Sequence, residues 1–136
     1  PLQVPAYDYP TDYGPRAPSF ARATVVGSAV SPALFVSGTA AIRGHVTVAP
    51  GDTLRQLDIT LENLFSISEA CGLGRTLSVP GAARRHVKVY LRFPDDLPAV
   101  RTKLERVLLR EGDVVSYLHA DICRQALNVE IELTAI

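Results

Sequence analysis

Apolar and polar positions alternate along this chain in a way that separates strands from helices before any single residue is considered. β-Branched and aromatic residues gather between Phe20 and Val26 and again between Ala33 and Thr39, which predicts two strands. Gly27-Ser28 and Ser31-Pro32 mark the turn between them. Leu54, Leu57, Leu61 and Leu64 then recur at helical spacing. Thr53 with Gln56 three residues later predicts a capping box at the start of that helix, and Gly72 predicts its stop. From Arg85 to Phe93 the pattern is strictly two-residue: Val87, Val89, Leu91 and Phe93 against His86, Lys88, Tyr90 and Arg92. A second helix starts near Asp96 and Pro98, buries Val100, Leu104, Val107 and Leu108, and ends before Gly112. Two further alternating runs, Tyr117 to Cys123 and Asn128 to Thr134, predict strands, and the short Gln125-Ala126-Leu127 connection predicts a hairpin between them.

The resulting order is ββαβαββ, an α+β two-layer sandwich with both helices on one face of the sheet. The first 19 residues stand apart, because Pro1, Pro5, Pro10, Pro15 and Pro18 remove amide donors and fix φ. They read as an extended arm preceding a single domain over residues 20–136. Tyr7, Tyr9, Tyr13 and Arg16 within it suggest that it packs on something. If the helices cover one sheet face, the other carries His86, Lys88, Tyr90, Arg92, His119, Asp121, Cys123, Glu130 and Glu132. Tyr and Cys are poor choices for a freely solvated surface, so this face fits a contact between subunits or domains where a pocket forms.

Composition narrows the function classes. A chain of 136 residues fits one core, and a formal net charge of zero gives no electrostatic footprint for nucleic acid. No apolar run approaches the roughly 20 residues needed to span a bilayer. Cys71 and Cys123 make no disulfide framework, which points to a reducing, cytoplasmic setting. His45, His86 and His119 match no ligand spacing, so neither a metal nor another cofactor is expected. The chain opens on Pro1, which suggests a piece cut from something longer.

Glu130 lies between Val129 and Ile131 near the end of the chain. Loss of water around a carboxyl raises its pKa and keeps it protonated for use as a general acid. Alternation alone does not choose between Glu130 and Glu132, and an ion pair with Lys88 or Arg92 is the bland alternative for either.

Several segments resemble the catalytic, C-terminal domain of chorismatases. They are Tyr13-Gly14-Pro15-Arg16-Ala17-Pro18-Ser19-Phe20-Ala21-Arg22-Ala23, then Ser37-Gly38-Thr39-Ala40 with Gly44-His45 and Gly51-Asp52, then Ala120-Asp121-Ile122-Cys123-Arg124 with Val129-Glu130-Ile131-Glu132. The last pattern also resembles the wider RidA/YjgF-like superfamily. The resemblance implies a RidA/YjgF-like (chorismate-mutase-like) fold on a mixed sheet. It implies cleavage of chorismate with release of pyruvate, and Glu130 as the acid. A cysteine at Cys123 implies a hydroxybenzoate product, 3-hydroxybenzoate ahead of 4-hydroxybenzoate. Substrate carboxylates call for guanidinium groups, and Arg16, Arg22, Arg92 and Arg124 are the candidates, with Arg124 expected to point away if its strand continues. Tyr13 and Tyr90 would line the pocket, Gly38 and Thr39 would offer amides, and Ala40 would leave room for the ring. The resemblance also implies either a homotrimer or an additional N-terminal domain over the polar face. Two alternatives remain. One is a RidA-like imine deaminase, against which Tyr117 stands where those enzymes carry an arginine. The other is a non-catalytic, trimeric module that binds small carboxylates.

Overall fold

The computed structural model describes residues 3–27 and 32–136. A five-stranded mixed sheet forms from β1 (Ala23–Val26), β2 (Ala33–Ala40), β5 (Arg85–Leu91), β6 (Val114–His119) and β7 (Val129–Ala135), in the spatial order β1-β2-β7-β5-β6. A small hairpin, β3 (Ile42–Arg43) with β4 (Val46–Thr47), follows β2. The helices α1 (Thr53–Ala70) and α2 (Leu97–Val107) pack on one sheet face, giving the expected α+β sandwich in ββαβαββ order with the β3–β4 hairpin added. No helix among the described residues is long and apolar enough to cross a membrane.

The core follows the alternation read from the sequence. Val87, Val89 and Leu91 of β5 meet Val129, Ile131 and Leu133 of β7, all nearly without exposure. Leu57, Leu61 and Leu64 of α1 and Val100, Leu104 and Leu108 of the α2 region close over them. Burying each such side chain contributes about 1.5–3 kcal/mol before the entropy of ordering is charged against it.

Five details differ from the expectation. The last two strands form no hairpin: β6 pairs with β5 in parallel through the α2 crossover, and β5 separates it from β7. The fully buried alternation of β7 takes the central place between β2 and β5, which leaves β6 the edge. β6 also starts three residues earlier than expected and ends at His119. Its core-facing residues are Val115 and Tyr117, while Leu118 is exposed. Residues 120–128 are therefore a loop and not a strand. The cap of α1 is Asp52, whose side chain accepts from the Arg55 amide, while Gln56 is buried and used elsewhere. Leu54 and Val107 are exposed, at the margins of their helical stripes. The strands beginning at Phe20 and ending at Phe93 shorten to Ala23 and Leu91, and Phe20 and Phe93 are both exposed. Most of the turn expected at Gly27-Ser28 and Ser31-Pro32 falls outside the described residues.

The open face consequently differs in membership. His86, Lys88, Tyr90, Glu130 and Glu132 share it, and they are joined in register by Thr134, Ser116, Phe35, Val114 and Leu118. Arg92, Asp121 and Cys123 have left the sheet.

Candidate active site

Residues 3–22 cross the end of the sheet in two short 3-10 turns, Ala6–Asp8 and Thr11–Tyr13, and dock by local contacts. Gln3 bridges Gly44, the Val4 amide bonds the Gly44 carbonyl at 3.1 Å, and Ala6 and Tyr9 are buried. Beneath this segment lies a cavity of about 290 Å³ lined by Tyr9, Tyr13, Pro18, Phe20, Arg22, Gly38, Ala40, Ile42, Cys123, Arg124 and Glu130. Pro18, Phe20 and Ile42 make one side apolar.

Glu130 reaches this cavity because β2 is irregular. Its register against β7 shifts between Val36 and Thr39, and Gly38 then lies against the Glu130 side chain. A Cβ on Gly38 would sit 2.9 Å from the Glu130 carboxyl carbon and closer still to Oε1, so only glycine leaves the carboxyl in place. The same irregular stretch fixes β1: the Ser37 hydroxyl donates to the Ala21 carbonyl at 2.7 Å, and the Ser37 amide donates to the Arg22 carbonyl at 3.1 Å.

The two glutamates that alternation could not separate lie in opposite surroundings. Glu132 accepts from Lys88 Nζ at 2.8 Å and from the Tyr90 hydroxyl at 3.0 Å. The Lys88 bond first, and the Tyr90 bond against burial, hold its carboxyl below the ordinary range. Glu130 has no hydrogen-bond donor among the described residues. Burial, and then the nearby Glu132 charge, push it up, while Arg22 partly offsets the rise. Cys123 is exposed as a residue, but its thiol borders the cavity, where burial and then the Glu130 charge push it up.

Two guanidinium groups line the same cavity as the carboxyl. Arg22 donates to the Tyr9 hydroxyl and lies 4.8 Å from the Phe20 ring centre. Its Nε is buried without a partner among the described residues. Arg124 stacks 3.8 Å over Tyr13 and donates through Nη1 to the His45 carbonyl at 2.7 Å and to Thr47 Oγ1 at 3.2 Å. Tyr13 in turn meets His45 Nδ1 at 3.3 Å. Such stacking holds each cation in the mouth of an aromatic-lined site without neutralising it.

Of the residues singled out from sequence, Glu130, Cys123, Arg22, Arg124, Tyr13, Gly38 and Ala40 border one cavity. Arg124 points inward because its strand has already ended. Four others are elsewhere. Arg16 is exposed and lines no part of the cavity, and Thr39 is buried with its hydroxyl on the Ser37 carbonyl. Tyr90 is bound to Glu132 on the open face, and the Arg92 guanidinium is taken up by main-chain carbonyls of the 120–128 loop. Tyr9, Pro18, Phe20 and Ile42 were not anticipated as lining. The tyrosines of the arm were the signal for Tyr9, and the segment from Tyr13 to Ala23 was the signal for Pro18 and Phe20. Tyr117 faces the helix-side core, and its buried hydroxyl has no hydrogen-bond partner among the described residues. Among the described residues no three His, Cys, Asp or Glu gather as a metal site.

No family model matches the chain. It is 44% identical over 97% of its length to a protein named 3-hydroxybenzoate synthase from Streptomyces hygroscopicus, covering 41% of that protein. It is 43% identical, over 97% of its length and 41% of the relative, to a chorismatase from Streptomyces rapamycinicus. The chain thus spans about two fifths of the curated relatives it matches. A crystal structure of a chorismatase superposes with a TM-score of 0.82 at 37% identity, over 99% of this chain and 41% of that one. RidA from the Antarctic bacterium Psychrobacter sp. PAMC 21119 superposes with a TM-score of 0.69 at 20% identity, over 93% and 96% of the two chains, a likeness of fold alone.

Proposed function

This chain is a chorismatase-related domain of the RidA/YjgF-like fold, and from that premise we propose that it cleaves chorismate to pyruvate and a hydroxybenzoate at the Glu130 cavity. The observation that carries the proposal is a half-buried carboxyl, without a hydrogen-bond donor among the described residues, that burial pushes up in a cavity also lined by Arg22 and Arg124. Chorismate bears an enol ether and two carboxylates. Protonated Glu130 donates its proton to the enol-ether methylene carbon, and the electron pair of the double bond forms the new C–H bond. Water adds to the resulting oxocarbenium ion, and collapse of the hemiketal breaks the ether bond to the ring, releasing pyruvate and a ring alcohol. Loss of one ring hydroxyl with a ring hydrogen as water then gives the aromatic hydroxybenzoate. Proton delivery to carbon demands close positioning, which the Gly38 contact supplies for the acid. Arg22 and Arg124 hold the carboxylates through the donors that the protein leaves unused.

The named relative and Cys123 beside Glu130 favour 3-hydroxybenzoate over 4-hydroxybenzoate. Hydroxybenzoate and pyruvate together have the composition of chorismate, so this outcome consumes no net water, and the apolar lining from Pro18, Phe20 and Ile42 suits the loss of water from the ring. The same proposal assigns the open sheet face, with exposed Phe35, Val114 and Leu118, to contact with a further domain or with two more copies of the chain.

Incubation with chorismate, with pyruvate and the aromatic product measured, tests the function. Pyruvate with 3-hydroxybenzoate is the expected result. Turnover of 2-aminoacrylate-derived imines without any chorismate cleavage would favour a deaminase instead, and binding of chorismate without turnover would favour a carboxylate-binding module.

A further inference from the structure

Arg92 offers the cavity nothing directly, yet it contacts nearly every turn of the loop that does. The chain enters that loop with the Ala120 amide on the Leu91 carbonyl at 3.0 Å and leaves it with the Arg92 amide on the Asn128 carbonyl at 3.0 Å. Between these ends the guanidinium spreads over the inner side of the loop. Nε donates to the Leu127 carbonyl at 2.9 Å, and Nη2 donates to the carbonyls of Ile122 at 3.1 Å and Arg124 at 3.2 Å. Nη1 reaches Asp121 Oδ1 at 2.5 Å. The Ile122 and Arg124 carbonyls bracket Cys123, so a single nitrogen fixes the main chain on both sides of the thiol. From the other side, buried Gln56 of α1 donates to the Ala126 carbonyl at 2.8 Å and accepts from the Asn128 amide at 2.8 Å.

We propose that Arg92 is a positioning residue that holds Cys123 and Arg124 at the Glu130 cavity by binding the carbonyls on either side of Cys123. Its consequence for turnover rests on the chorismate reading; its consequence for the loop does not. Three carbonyls in different directions need the planar fork of arginine, whereas the single ammonium of lysine presents its donors from one point. The Asp121 contact is secondary, because that carboxylate side chain is 94% exposed and water screens the pair.

Arg92→Lys and Asp121→Asn, each in a Cys71→Ser background that leaves one thiol, separate these roles. The rate of Cys123 alkylation by iodoacetamide is followed against pH, with circular dichroism and a thermal melt as controls. In Arg92→Lys the rate is expected to rise at least tenfold at pH 7, with its pH profile moving to lower pH as the thiol leaves its buried place beside Glu130. Chorismate turnover should fall about tenfold with a higher KM, because Arg124 moves as well. Asp121→Asn should stay within about twofold of the parent in both assays. Arg92→Gln, which keeps two donors, should fall between. The proposal is overturned if Arg92→Lys melts earlier but alkylates with the parent's rate and pH profile, if Asp121→Asn reproduces the Arg92→Lys effect, or if neither Arg92 variant folds cooperatively. A parent chain without chorismate turnover would remove the proposed function and leave the thiol measurement to decide the role of Arg92.

Discussion

Glu130 and Glu132 stand two residues apart on the same strand face, and their surroundings give them opposite protonation tendencies. Lys88 and Tyr90 satisfy one, while the other borders the cavity and accepts no hydrogen bond among the described residues. Two outcomes follow at this scale. Glu130→Gln should lower pyruvate release by about 100-fold or more, the range for loss of a positioned acid. In the parent, release should fall as pH rises through the raised Glu130 value, because the acid form is lost. The sign for stability is the same: between the ordinary and the raised value the folded state binds more protons than the unfolded one, so stability falls with rising pH. Melts of Glu130→Gln should therefore exceed the parent at pH 8, with the difference shrinking as pH drops below the ordinary carboxyl range. Gly38→Ala tests the close approach. Its new methyl meets the end of a flexible side chain, so Glu130 turns away at a cost of about 0.5–1.5 kcal/mol. Activity should collapse while the melting temperature moves by only a few degrees.

The arm and the β5–β6 edge show how whole elements serve the cavity and the fold. Tyr9 and Tyr13 brace the two arginines, so removing residues 3–18 should retain the circular dichroism of the sheet and abolish pyruvate release. Retained turnover would separate the arm from the chemistry. At the opposite end of the sheet, Arg85 is buried because Asp113, just before β6, meets it. The pair is 5% exposed on each side, and Arg85 also donates to the Thr76 and Leu108 carbonyls. Burial raises Asp113, but the bonds from Arg85 and from the Arg110 amide outweigh it and hold its carboxyl below the ordinary range. Arg85→Leu should cost about 3–5 kcal/mol, since it strands a buried carboxylate. The stability that Asp113 contributes is present above the ordinary carboxyl pKa and lost as pH falls through the lowered one, which acid unfolding of the parent and Arg85→Leu can check.

For the molecule as a whole, the open face matters most, where exposed Phe35, Val114 and Leu118 share the sheet surface with the Lys88–Glu132 pair. A patch mixing large apolar groups with a half-exposed ion pair fits a contact with another protein surface. If copies of this chain supply the cover, Leu118→Glu should reduce the mass seen by light scattering to that of a single chain. An unchanged single-chain mass in the parent would leave a further domain as the cover.

The sequence by itself determined the layers. Strict two-residue alternation in β5 and β7 and three- and four-residue recurrence in α1 and α2 allow one burial each, so the core and the helix-covered face were legible without coordinates. It also brought Glu130, Arg22 and Cys123 forward through local motifs. Tertiary structure decided what depends on contacts between distant residues. Strand order was one such matter, since β6 is as compatible by pattern with a hairpin to β7 as with a parallel place beside β5. The end of β6 at His119 was another, because a loop and a strand both tolerate Asp121-Ile122-Cys123, and only the bonds from Arg92 and Gln56 choose the loop. That choice turned Arg124 into the cavity and Arg92 out of it. It also shows why Glu130 differs from Glu132: identical side chains on one face diverge through their neighbours across the sheet, and sequence does not name those neighbours.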